Sequence, residues 1–221
     1  KSNLRHEKMI MIKIHAFDYI KGVINNLLTS GSELQSFLFI TKSTLEFSNT
    51  NNNLLNNCHN DRLLEEFGCD KFNKLKDRFN NDFCKFIFSW EQYEIVFKKI
   101  VIQRYALQEE FSQVIDESTK VWGEYDAYML SLKSGLPLAN ESREKLITSI
   151  QDLFIHTLDF TACISDVNHN LQNYVFGKIL NESNDKRIVK NQSCLTIDSL
   201  IIKHAVKLQN YYEVKLKKRM V

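Results

Sequence analysis

The residues of this chain that could do chemistry are its histidines, its five cysteines and a few clustered acids. Cys58 and His59 are adjacent, which is not a metal-site pattern. His156 and His169 lie thirteen positions apart on one predicted segment, with Cys163 between them. A structural zinc site needs four closely placed nitrogen or sulfur ligands, so satisfied or solvated side chains are the reading for these three. No glycine-rich phosphate loop, HExxH helix or GxSxG elbow occurs. No catalytic, cofactor-binding or metal-ligating residue is therefore assigned. No cofactor is expected, and the sequence offers an enzyme no nucleophile paired with a base.

The remaining polar candidates read as structure. Glu109-Glu110 and Asp116-Glu117 belong to the solvated side of a helix. Arg104 and Ser118 interrupt an apolar stripe. An Arg there can lay its stem over the core, and a mid-helix Ser can bond back to the carbonyl one turn earlier. Lys215, Lys217, Lys218 and Arg219 place cations at the end of the last predicted helix, where the helix dipole favours them.

The stripe that these residues interrupt dominates the chain. Phe83, Phe86, Trp90, Tyr93, Phe97, Ile100, Leu107, Phe111, Val114 and Val121 recur at three- and four-residue steps. From Asp82 to Tyr125 there is no Pro, and Gly123 is the only Gly. The spacing predicts one very long, aromatic-rich helix, roughly 60 Å from end to end. Six Gly and one Pro in 221 residues leave too few turn residues for a β-rich fold. The expected class is all-α, an elongated rod of antiparallel helical bundles. With 15 Phe, 8 Tyr and 2 Trp the core should be heavy in rings. A net charge of +2 argues against a general nucleic-acid binder. The odd number of cysteines, without CxxC, points to a reducing compartment. No run of 18 apolar residues is present to span a membrane. The start at Lys1 without Met suggests a fragment of a longer chain.

Taken in order, Leu4 to Leu28 predicts a first helix. Thr29-Ser30-Gly31-Ser32 predicts a break, with Ser32 capping a second helix through Leu34, Phe37, Leu38 and Ile40. The Asn-rich stretch 48–60 predicts a surface loop, since such residues divert backbone bonds to their side chains. Asp61 opens a short helix ended by Gly68, and another helix starts near Asp70. Gly135 and Pro137 mark the clearest boundary, giving expected domains at 1–131 and 132–221, with Asn140 capping the helix that follows. That helix, through Leu146, Phe154, Ile164 and Leu180, is one element or two joined near Thr161. A last helix runs from Ile197 to Lys217.

Several of these segments, in this order, resemble a known family. They are Phe88-Ser89-Trp90-Glu91-Gln92-Tyr93-Glu94, then Val121-Trp122-Gly123-Glu124-Tyr125-Asp126, then Gly135-Leu136-Pro137-Leu138-Ala139-Asn140-Glu141-Ser142-Arg143, with the helices after them. The pattern is similar to the C-terminal part of vesicle-tethering subunits of the CATCHR class, the Tip-twenty/RINT branch of the endoplasmic-reticulum tether of Dsl/ZW-ten type. The resemblance implies stacked helical bundles without catalytic residues. It implies a scaffold for Golgi-to-ER retrograde transport that binds other tether subunits and ER SNAREs, cytoplasmic and peripheral on the ER membrane. The chain by itself would be a monomeric rod. The alternative is a BAR-like membrane-binding dimer, for which Lys215 to Arg219 would supply lipid contacts, although near-balanced charge speaks against it.

The stripe is expected to be covered by the chain's own helices. Trp90→Ala should then lower stability by roughly 3–5 kcal/mol in denaturant unfolding. Unchanged stability with loss of partner binding would instead mark the stripe as a docking seam.

Overall fold

In the computed structural model, the residues described are 2–50, 65, 67–94, 96–97, 104–133 and 136–182. Among them there is no strand. The described residues form four long helices: α1 (Ser2–Thr50), α2 (Phe72–Tyr93), α3 (Arg104–Ser131) and α4 (Leu136–Glu182). A π-helical turn, Phe67–Lys71, leads into α2.

The described residues form two compact units. The larger takes 25–50, 67–87, 104–133 and 136–165. Its side-chain contacts fix the topology. Phe37 of α1 meets Phe72 of α2, while Gly31 of α1 meets Phe79 further along it. Phe72 meets Trp122 of α3, and Phe83 meets Phe111. Phe111 meets Phe160 of α4, and Glu117 meets His156. Phe39 of α1 meets Phe154, and Gln35 bonds to Thr161. In each pair of helices one number rises as the other falls, so all four neighbours run antiparallel. The unit is an up-down-up-down four-helix bundle. The turn at Leu132 and Lys133, where the sequence suggested a boundary, joins α3 to α4 within it.

Rings fill this bundle. Phe79 and Phe83 of α2 each lie 4.2–5.8 Å from Phe111 and Phe160, which are 5.1 Å apart, bringing α2, α3 and α4 onto one cluster. A second stack, Phe37, Phe67, Phe72, Trp122 and Tyr125, ties the π-turn to α1, α2 and α3. Edge-on and offset ring pairs add about 0.5–1.5 kcal/mol each beyond the area they bury. Asp70, in the π-turn, is the one described non-glycine residue with positive φ, at 64°. Asp tolerates the left-handed region better than most residues, and here the conformation lets the chain enter α2.

The smaller unit takes 2–24, 88–94, 96–97 and 166–182. Ile10, Ile14, Phe17, Ile20 and Ile24 of α1 are buried in it with Trp90, Phe97, Leu171 and Val175. Trp90 has no exposed surface and stacks on Phe97 at 5.9 Å.

Three expected boundaries are corrected. The single helix predicted from Asp82 to Tyr125 is two helices. After Tyr93 the bonds shorten to three-residue steps, Val96 N–H to the Tyr93 carbonyl and Phe97 N–H to that of Glu94. α3 then runs back along α2. The segment 95–102 holds five β-branched residues, which weaken helix, and the two halves of the stripe cover each other, Phe83 against Phe111. Hydrophobic spacing reads the same whether a helix continues or folds back.

The predicted break at 29–32 does not occur, and α1 continues to Thr50, taking in Ser48, Asn49 and Thr50 of the expected loop; 51–60 lie outside the described residues. The Thr29 and Ser30 hydroxyls bond back to the carbonyls of Asn25 and Leu27, so they are satisfied inside the helix. Finally, α4 starts at Leu136 rather than after Asn140. Pro137 sits in its first turn, where a missing N–H costs nothing. The helix continues unbroken past Thr161.

Gly31 is a point of contact rather than a breaker. A Cβ there would meet Thr161 Cγ2 at 2.7 Å and Phe79 Cε2 at 3.0 Å. Thr161 cannot easily turn away, because its hydroxyl bonds to the Thr157 and Leu158 carbonyls and accepts from Gln35. Overpacking costs about 1–3 kcal/mol, against a gain in helix propensity of about 1 kcal/mol. Gly31→Ala should therefore destabilise by up to about 2 kcal/mol in thermal or denaturant unfolding. Adding Thr161→Ser, which removes the methyl and keeps the hydroxyl, should restore at least half of the loss.

Candidate functional site

The aromatic stripe is not a surface. Phe83, Phe86, Trp90, Phe97, Leu107, Phe111, Val114 and Val121 are all buried, and Tyr93 packs on Tyr19. Ser118, which interrupts the stripe, donates to the Val114 carbonyl at 2.6 Å, as expected for a mid-helix serine. Arg104 is the first residue of α3.

The histidines considered for metal binding each have another partner. His156 Nδ1 is 2.7 Å from Glu117 Oε2. That is ion-pair distance without hydrogen-bond alignment, the Asp152 carbonyl at 3.1 Å being the better aligned neighbour. The contact links α3 to α4 and is a charge pair only when the imidazole is protonated. His169 Nε2 faces the Asn173 amide at 3.1 Å, one turn along α4. Cys163 is exposed. Among the described residues no three His, Cys, Asp or Glu side chains are grouped to hold a metal ion. Cys58, His59 and the cluster Lys215 to Arg219 lie outside the described residues.

Glu109, Glu110 and Asp116 face solvent. Glu141 and Lys145 form an ion pair one turn apart near the start of α4, at 2.8 Å. The hydrogen bond and charge of Lys145 hold the Glu141 carboxyl below its usual range, and Glu141 raises Lys145. Whatever this pair contributes is present between the two ordinary pKa values. It is lost as pH falls through the depressed carboxylate value or rises through the raised lysine value. Both groups are fully exposed, so solvent and salt screen the effect.

Two features were not legible in the sequence. One is a buried cation. Arg143 is 9% exposed, and its Nε has no hydrogen-bond partner. Among the described residues its nearest carboxylate, Glu144, stands 4.0 Å from Nη2 and is itself largely solvated. The other is an apolar groove between α1 and α4, about 390 Å³, lined by Ser32, Gln35, Ser36, Phe39, Ile40, Phe154 and Leu158. Gln35 forms its floor, donating to the Thr157 carbonyl and to Thr161. Phe39 and Ile40 stand 58% and 55% exposed on α1, and Ile155 and Leu158 44% and 42% exposed on α4. The sequence named Ile40 with Leu34, Phe37 and Leu38 as the apolar residues of one helix; Leu34, Phe37 and Leu38 are buried, while Ile40 turns outward.

The described residues are those of an all-helical protein with a ring-filled interior and an open apolar groove on a helix–helix seam. No family model, curated protein or solved structure matches the chain. Among the described residues no helix is long and apolar enough to cross a membrane.

Arg143 supplies a test of the interior. A buried charge without a good partner is costly, and an apolar side chain of similar length removes that cost. Arg143→Met should raise the unfolding free energy by about 1–3 kcal/mol in urea titration. A loss of stability would show that the guanidinium has a stabilising partner when the protein is in solution.

Proposed function

We propose that this chain is a non-catalytic helical scaffold and that it forms part of a vesicle-tethering subunit of the endoplasmic reticulum. In this reading it acts in Golgi-to-ER retrograde transport and binds other tether subunits and ER SNAREs. It lies on the cytoplasmic side, peripheral to the ER membrane, with helical bundles stacked into a rod.

The observation that carries the scaffold reading is where the apolar surface lies. Large side chains fill the bundle, and the open apolar groove is on its outside, between α1 and α4, where a protein surface can dock. The tether reading adds the ordered resemblance of 88–94, 121–126 and 135–143 to the Tip-twenty/RINT branch. Antiparallel bundles built from long helices are the architecture that this resemblance implies.

Purified ER-tether subunits and the cytosolic parts of ER SNAREs, each immobilised and titrated with the chain, test this. At least one should bind at micromolar concentration or tighter, and small-angle scattering of the chain should report an elongated particle. Absence of binding to every one of them would overturn the tether reading. Strong, salt-sensitive binding to acidic liposomes would replace it with the membrane-module alternative.

A further inference from the structure

From Gly22 to Thr41, α1 holds a single charged residue, Glu33, and that carboxylate is engaged by Arg78 of α2. On this charge-poor stretch Ser32, Ser36, Phe39 and Ile40 share one face by their spacing. Facing solvent beside them on α4 are Gln151, Ile155, Leu158 and Ala162, also uncharged. An exposed helix face ordinarily carries charges. Here the nearest are the Lys42–Glu46 pair on α1, which neutralises itself at 2.8 Å, and Asp159 on α4.

The size of the patch narrows what covers it. Phe39, Ile40, Ile155 and Leu158 together expose apolar surface on the order of 400 Å², within the range of the largest patch on a monomer. One side of a standard-size protein interface buries about 800 Å², of which a little over half is apolar. The patch therefore supplies about what one protomer of a stable dimer needs. Its charge pattern meets the further condition for pairing with itself. In a two-fold contact each residue faces the same kind of surface on the other copy, so like charges would repel. A face this poor in charge meets its copy with little of that penalty, and it offers nothing to a phosphate backbone or to anionic headgroups.

We infer that the α1–α4 face is a homodimer interface, occupied by the same face of a second copy of this chain. Phe39 and Ile40 of one copy enter the groove bounded by Phe154 and Leu158 of the other. This goes beyond the monomeric rod expected from the sequence, and it stands whether or not the tether reading holds.

Light scattering or sedimentation equilibrium of the chain between about 1 and 100 micromolar tests it, this being a range in which an interface of modest affinity dissociates. The expected result is a mass approaching twice 26.0 kDa. The double variant Phe39→Glu with Ile40→Glu should weaken dimerisation by at least about 100-fold, with its helical circular dichroism unchanged. Ile155→Glu on α4 makes the same test from the opposite wall, should the double variant lose helix. Phe88→Glu, at an exposed ring outside this face, should leave the mass unaltered. A monomer throughout the range, or a dimer that survives both α1 and α4 variants, overturns the proposal.

Discussion

The described bundle depends on the contact of Phe79, Phe83, Phe111 and Phe160. Three helices contribute to it, and the fourth is admitted because Gly31 carries no side chain where Phe79 and Thr161 approach. The ring faces are offset or edge-on, with Phe79 and Phe83 meeting Phe160 at 78° and 81°. That arrangement suits the aromatic quadrupole. It also sets the levels at which α2, α3 and α4 pass one another. Once Phe111 lies against Phe83 and Phe160, Trp122 comes beside Phe72 and Glu117 beside His156 without further specification.

The class of the fold was legible in the sequence, and so was most of its core. Scarcity of Gly and Pro and the three-and-four spacing of Phe83, Phe86, Trp90, Phe111 and Val114 point to buried helix faces, and those faces are buried. The ends of the helices were less legible, for a reason that differs from place to place. At 94–97 the pattern carries no record of a reversal, because a stripe that folds back on itself keeps its period. At 29–32 the residue types that favour turns are accommodated inside a helix, the hydroxyls bonding to carbonyls a turn behind and the glycine making room for a neighbour. At Pro137 the same ring that forbids a helix interior is well suited to a helix start.

The candidate site was the least legible part. Phe39 and Ile40 are apolar residues within an apolar stretch, and spacing alone assigns at least one of them to the interior. Their exposure follows from where α4 lies, which depends on Gln35, Thr157 and Thr161, residues that a search for chemistry passes over. The charge-poor character of the stretch from Gly22 to Thr41, with Glu33 alone charged, was present in the sequence. It takes on meaning only when one side of it is known to face water. Arg143 is similar: its identity gave no hint that its Nε would be enclosed.

The order of the helices has a consequence for how the bundle comes together. α2, α3 and α4 each pair with the helix next to them in the chain, across short connections. The seam between α1 and α4 joins residues as far apart as Gln35 and Thr161, 126 positions in the sequence. Loop-closure entropy grows by about 0.6 kcal/mol for each doubling of length, so this seam costs about 2 kcal/mol more to close than the connection of about ten residues between α2 and α3. Local pairs form early and distant ones late when other terms are equal. The ring of four helices therefore closes last along α1 and α4, and the same seam is the first to part when the bundle opens.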